Sequence, residues 1–419
     1  MTLLATPRTP TGITLAPVVV LTERQTRLAP LTDADRRFLR ESKSLPENAL
    51  VASETRDGWE LEAGPFIGVF RLPTLTVQVR PKAEIGARNL LYMLARAAKI
   101  SLSPLPTAPL ALDQTDLQED LARLFLQALS RQLERGVMRR YQLVQENAQA
   151  LRGRLRVAAY LRRTDPARLP VEYSDLTADH PVNRLFLHTL NLLARSVKAA
   201  DNRRQIARLR GWLLDAGVQP LRERPRRGPA FDLNRLSRRF QEALNIAWLL
   251  LEGFGALQDS GAHQGHAFTF DMDHLYEKFL EQVILQDVLP GTGYSGRAQG
   301  LEGAERHLFQ GGVQKLKPDL TISRDGRTEL IVDFKNKRAS RRLDRDDLYQ
   351  MYAYARHLDC PRVLLLYPGG TPPPTLTTTR APFIHVTAAT LDLTRPFPQQ
   401  LDALKTDLRT LLQHEGLTL

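Results

Sequence analysis

Apolar and polar positions change their period twice along this chain. Between Pro17 and Lys82 the apolar runs are short and strand-like: Val18 to Leu21, Phe66 to Phe70 and Leu75 to Val79, each bounded by turn residues. The last of them alternates strictly, as a half-buried strand does. A helix over about Ala87 to Ala98 closes this segment. Pro104, Pro106 and Pro109 then forbid a continuous helix and mark a linker. Beyond it the apolar residues recur at helical spacing: Leu117, Leu121, Leu124, Phe125 and Leu129; Leu185, Leu187, Leu192 and Val197; Leu236, Phe240, Leu244 and Trp248. From about His266 helix and strand alternate. Asp273 to Leu289 reads as a helix with Leu275, Phe279, Val283 and Ile284 on its apolar side, Leu320 to Ser323 and Glu329 to Phe334 as strands, Asp344 to Leu358 as a helix, and Arg362 to Tyr367 as a short buried strand. The expected architecture is α+β and multidomain: a β-containing N-terminal domain over 1–103, a helical middle domain over 104–265 and a C-terminal α/β domain over 266–419. Residues 1 to about 15 read as a loose lead-in, Thr371 to Thr379 as a Pro/Thr loop, and no internal repeat is present.

One stretch of the last domain carries chemistry. Lys317-Pro318-Asp319 and Asp333-Phe334-Lys335 flank two strands joined at Asp325-Gly326, a strong turn signal. Alternation puts Leu320 and Ile322 on one face of the first strand, and Leu330, Val332 and Phe334 on one face of the second. Joining these apolar faces brings Asp319, Asp333 and Lys335 out together on the other side. A regular two-residue hairpin would fail to do so, because a slip of one residue reverses the faces. An odd loop or a bulge is therefore required, and Gly326 as the left-handed bulge residue of a three-residue loop is the expected solution. Two carboxylates beside an ammonium suit phosphodiester hydrolysis. Hard oxygens bind Mg²⁺, with Mn²⁺ as a substitute, and Lys335 is placed to orient a water or stabilise the transition state. Upstream, Glu277 offers a further carboxylate to the metal; downstream, Gln350 and Tyr354 stand four apart on one helical face. Lys337, Arg338, Arg341, Arg342 and Arg345 crowd the exit of the second strand, where a phosphate backbone would lie.

Composition sharpens the expected partner. The 419 residues carry a formal charge of +12, from 58 Lys plus Arg against 46 Asp plus Glu, which favours a polyanion. Arginines cluster in the middle domain, at Arg152, Arg154 and Arg156, at Arg203, Arg204, Arg208 and Arg210, at Arg222, Arg224, Arg226 and Arg227, and at Arg238-Arg239, as in a surface that tracks phosphates. Cys360 has no partner for a disulfide, and no run approaches the ~20 apolar residues of a membrane span, so a cytoplasmic location is expected. No G-x-x-x-x-G-K-[ST] occurs, so no nucleotide is expected on this chain itself, and the histidines, His263 and His266 among them, have no zinc-site spacing.

The order of the Glu277 helix, Pro318-Asp319, Asp333-Phe334-Lys335, Gln350 and Tyr354 resembles the PD-(D/E)xK nuclease superfamily. More narrowly the chain resembles the McrC family, nuclease partners of the McrB motor in McrBC-type modification-dependent restriction. The likeness runs through Gly68-Val69-Phe70, Val77 to Lys82, Leu151 to Leu155, Asp179 to Arg184, Phe270-Asp271-Met272 and Asp346 to Tyr354. It implies an AAA+ GTPase partner, double-stranded DNA as substrate, DNA marked by modified cytosine that the partner recognises, and an N-terminal segment that docks on the motor and stimulates nucleotide hydrolysis. Two other readings fit the residues: a stand-alone repair or recombination nuclease of the same superfamily, and a non-catalytic DNA-binding adaptor that activates an NTPase.

Overall fold

The computed structural model describes residues 17–42, 45–83, 85, 87–98, 117–223, 225–235, 237–254, 266–298, 316–395 and 399–419. The lead-in, the proline linker, Arg224, Leu236 and His263 lie outside them. The chain divides into two compact units, one made of 1–114 with 253–419 and the other of 115–252. The first unit takes residues from both sides of 115–252, because strands from both parts pair in one sheet. Among the described residues no helix is long and apolar enough to cross a membrane.

In the first unit β1 (Val18–Thr22), β2 (Thr26–Leu28), α1 (Asp33–Glu41), β3 (Leu50–Thr55), β4 (Gly58–Ala63), β5 (Phe66–Arg71), β6 (Thr76–Arg80) and α2 (Ala87–Ala97) follow one another. The strands expected from alternation are β1, β5 and β6. The small sheet β2-β4-β3 is an addition to them, because its charged runs carry little period. The second unit holds α3 (Leu117–Leu133), β7 (Arg140–Ala148), β8 (Arg154–Leu155), α4 (Val157–Leu161), β9 (Leu169–Thr177), α5 (Pro181–Ser196), α6 (Ala200–Asp215) and most of α7 (Gln241–Gly253). Its helical stripes do form a core, where Phe186 lies 6.2 Å from Phe125 and 6.0 Å from Phe240 between ring centres. Beside the expected helices this unit also holds strands, since β7, β9 and β8 make an antiparallel sheet. β7 is exposed along most of its length, so backbone pairing rather than an apolar face defines it, and alternation could not reveal it.

The chain returns to the first unit with β10 (His266–Asp271), which pairs antiparallel with β5 and completes the sheet β1-β6-β5-β10. At Gly68 on β5 a Cβ would stand 2.0 Å from the Phe268 carbonyl oxygen, so only glycine permits this pairing. α8 (Met272–Val283) starts directly from β10, with the Asp271 side chain accepting from the N–H groups of Asp273 and His274. Expected as one helix to Leu289, it passes into a π-helical turn at Ile284–Val288. Then come β11 (Ser295–Ala298), β12 (Leu320–Arg324), β13 (Arg327–Phe334), α9 (Arg345–His357), β14 (Arg362–Tyr367), β15 (Leu376–Thr377), β16 (His385–Thr390) and α10 (Gln399–His414).

The six-stranded sheet of this unit has the order β11-β12-β13-β14-β16-β15, with β13, β14 and β16 parallel. The Ile331 face of β13 joins Met351, Tyr354 and Ala355 of α9 in one apolar cluster with Val363 and Leu365 of β14. On the opposite face Leu285 and Leu289 of the segment after α8 crowd Gly296 together with Leu320. Helices thus cover both faces of β13, and its last five residues, Leu330 to Phe334, are buried.

Candidate active site

The β12–β13 hairpin decides which way the acids point. Its turn is Asp325-Gly326 with φ of 50° and 78°, a tight left-handed pair, and Arg324 faces Arg327 across it. The expected three-residue loop with a bulge at Gly326 is therefore incorrect. The bulge that alternation demanded is present elsewhere: Ser323 pairs with Thr328 and Ile322 with Leu330, leaving Glu329 as the extra residue. From there Leu320 faces Val332, so Asp319 comes level with Asp333 on the same face. Arg362 donates to the Glu329 carbonyl at 3.1 Å and pairs with its carboxylate at 3.3 Å, which anchors the bulge.

Asp319 Oδ2 accepts the N–H of Phe334 at 2.8 Å, so the first acid closes the end of the hairpin. Asp333 is buried, with 2 % of its surface exposed, at the carboxyl end of a parallel strand, where α/β sheets commonly hold ligands. Lys335 Nζ lies 2.8 Å from Asp333 Oδ2 and 3.2 Å from Asp347 Oδ1. The Asp333 contact is a short, buried ion pair, and among the described residues Lys335 is the group that meets Asp333 Oδ2. Burial, reinforced by the charge of Asp319 and opposed by Lys335, pushes the Asp333 carboxyl up to about 7. Burial would lower the Lys335 ammonium, but Asp333 and then Asp347 raise it above its ordinary value.

The downstream pair lies where the sequence put it. Lys335 Nζ donates to Gln350 Oε1 at 3.4 Å, Gln350 Nε2 donates to the Tyr354 hydroxyl at 2.8 Å, and that hydroxyl donates to the Lys317 carbonyl at 3.0 Å. α9 thereby ties the lysine to the strand that presents Asp319. Glu277 on α8 is half-buried, and burial first, then neighbouring acids that include Asp333, raise its carboxyl. Among the described residues no three His, Cys, Asp or Glu converge closely enough to enclose a metal ion. Asp319 and Asp333 still fit Mg²⁺, which takes one or two carboxylates and fills its other positions with water, because the hard oxygens of two neighbouring acids are the donors such an ion needs.

Among the basic residues, Lys337 belongs to the acid–lysine cluster, 2.6 Å from Asp347 Oδ2 and 3.8 Å from Asp344. Arg338, Arg341, Arg342 and Arg345 are exposed around it. In the other unit Arg152 stacks on Tyr173 at 4.0 Å and pairs with Asp175 at 3.3 Å, and Arg154 is exposed on β8. Asp347 escaped sequence reasoning. Burial would raise its carboxyl, but Lys337 and Lys335 lower it, and it bridges the two lysines. The available signal was spacing, because Asp347, Gln350 and Tyr354 repeat at i, i+3 and i+7 along one helical face.

Fold and site define a mixed α/β protein with a buried acid–lysine centre at the end of a parallel strand. The chain belongs to the McrBC family, described as a McrBC 5-methylcytosine restriction system component, whose model matches residues 61–368. Its structure is similar to the McrC chain in a refined half-complex from a tetradecameric assembly of Thermococcus gammatolerans McrB AAA+ hexamers with bound McrC, at 19% identity and a TM-score of 0.61 over 94% of this chain and 100% of that one. A cryo-EM structure of the Thermococcus gammatolerans McrBC complex matches 64% of this chain and 87% of the other at 20% identity and a TM-score of 0.45. No curated protein matches the sequence.

Proposed function

We propose that this chain is the Mg²⁺-dependent DNA-cutting subunit of a GTP-driven, McrBC-like restriction complex, working in the cytoplasm with an AAA+ GTPase whose nucleotide hydrolysis it stimulates. The observation that carries the reading is the Asp319–Asp333–Lys335 centre, where a buried carboxylate paired with an ammonium faces a second acid. Asp319 and Asp333, with Glu277 nearby, are the residues to hold the cation. When bound, Mg²⁺ supplies positive charge to the scissile phosphate and a more acidic water. Lys335 points its ammonium at the charge that builds on the phosphate, and Gln350 and Tyr354 keep it from swinging away. Arg338, Arg341, Arg342 and Arg345 receive the adjoining DNA backbone, and Arg152 and Arg154 of the other unit also bind phosphates. Membership of the McrBC family supports the AAA+ partner, and the N-terminal segment is the part proposed to dock on it.

Reconstitution with a McrB-type AAA+ partner, GTP, Mg²⁺ and DNA carrying modified cytosine tests this. Lys335→Ala is expected to lose cleavage by about 10³-fold while still binding the partner and stimulating its GTP hydrolysis. Cleavage at the full rate by that variant would return the acids to a structural role and favour the adaptor reading. Rapid cutting by the isolated chain without partner or nucleotide would favour the stand-alone nuclease.

A further inference from the structure

Asn336, immediately after Lys335, is 4 % exposed and is held by residues remote from it in sequence. Its Nδ2 donates to Glu23 Oε2 at 3.2 Å and to Asp273 Oδ1 at 3.0 Å. Its carbonyl accepts from Lys82 Nζ at 2.9 Å. Lys82 is buried against Glu23, with the ammonium 3.6 Å from Glu23 Oε1 and the Lys82 N–H donating to that oxygen at 3.2 Å. Arg24 completes the set by donating to both Asp273 oxygens at 2.8 and 2.7 Å. The backbone of Asn336 is itself a tight turn, because Lys337 N–H donates to the Lys335 carbonyl at 2.8 Å.

We infer that Glu23, Lys82 and Asp273 form a clamp on Asn336 that positions Lys335 for the reaction, linking the N-terminal sheet to the active site. The inference rests on the nuclease reading of Lys335. Asn336 is the centre of a turn whose two ends are Lys335 and Lys337, and both lysines reach Asp347, so fixing the centre fixes both ammonium groups at once. Strand pairing alone does not supply this, since β13 ends at Phe334 and Lys335 keeps one backbone bond to the sheet, N–H to the Leu366 carbonyl at 2.9 Å. A buried Glu–Lys pair is a poor source of stability compared with packed apolar side chains, but it is a directional one. Glu23 stands at the end of β1 and Lys82 just past β6, adjacent strands of the sheet that β10 joins to α8, so displacement of that sheet would reach Lys335 through one residue.

Asn336→Ala in the full complex tests the clamp. Single-turnover cleavage is expected to slow about 100-fold, as for a misplaced catalytic group, while the DNA dissociation constant moves by less than about twofold. In the metal-free chain, hydrogen exchange at the Lys335 and Lys337 amides is expected to quicken by about tenfold, with β14 unchanged. Unaltered cleavage and exchange would overturn the inference, and so would exchange raised throughout the sheet with rate and DNA affinity lost together. Should Asn336→Ala fail to fold, Asp273→Ala decides, because the Asp273 side chain is 45% exposed and its removal takes away one acceptor of Asn336 Nδ2 only; it must show a smaller change in the same direction, and parent-like behaviour counts against the clamp. Lys335→Ala run beside them separates the two readings: if it cuts at full rate the nuclease assignment falls, and exchange alone then judges the clamp.

Discussion

Burial lifts the Asp333 carboxyl from its ordinary 3.8 to about 7, with Asp319 adding to the lift and Lys335 resisting it. A carboxyl whose pKa is higher in the folded chain than in the unfolded one favours folding at low pH. Its contribution is intact below about 4 and is lost as pH rises through about 7. Without metal, Asp333→Asn is therefore expected to melt a few degrees above the parent at pH 8 and together with it at pH 4. Equal midpoints at pH 8 would show that the carboxylate is not under strain. A cation placed on Asp333, as proposed, would relieve the same cost and so couple its binding to deprotonation of this residue. Lys335 answers in the other sense: with Asp333 and Asp347 on either side it stays protonated, as a group that faces phosphate should.

At the scale of the element, α9 and the β12–β13 hairpin divide the work. Asp344 caps α9 by accepting from the Asp346 N–H, which fixes where the helix starts and so which side chains, Asp347, Gln350 and Tyr354, face the strand end. The hairpin supplies the acids, and its bulge at Glu329 brings Asp319 level with Asp333. Tyr354→Phe removes the hydroxyl that joins Gln350 to the Lys317 carbonyl, so both hydrogen bonds through it are lost. We expect a drop of about 1–2 kcal/mol in urea unfolding and about tenfold in cleavage rate, with DNA affinity unchanged. Lower stability without a rate effect would confine the tyrosine to packing. The π-helical turn after α8 has no counterpart in the apolar pattern, which runs on through Ile284 and Val288 without interruption.

Over the whole molecule, one compact unit is assembled from both ends of the chain and the other from its middle. That arrangement sets the N-terminal sheet against the start of α8, one turn before Glu277. The excess of positive charge belongs to the partner that it meets. Replacing Arg338, Arg341 and Arg342 together by Ala is expected to lower the slope of log affinity against log salt by about 0.9 for each phosphate that is no longer neutralised. Affinity should fall equally on two DNA duplexes of unrelated sequence, measured by fluorescence anisotropy. A fall confined to one sequence would mean that these arginines read bases.

Local pattern alone determined the strands β1, β5, β6, β12, β13 and β14, the helices α2 and α9, and the meeting of Asp319, Asp333 and Lys335. Each depends on the period of nearby residues and on the rule that apolar faces must be joined. Even the need for a bulge was legible, although its place was not, because Glu329 is held by Arg362 from another strand. Tertiary structure decided the rest. It paired β10 with β5, paired the largely exposed β7 with β9, set Asp347 between two lysines and closed Glu23, Lys82 and Asp273 on Asn336. Those interactions join residues far apart in the chain through polar groups whose partners no period announces, and only a folded backbone brings them within bonding distance.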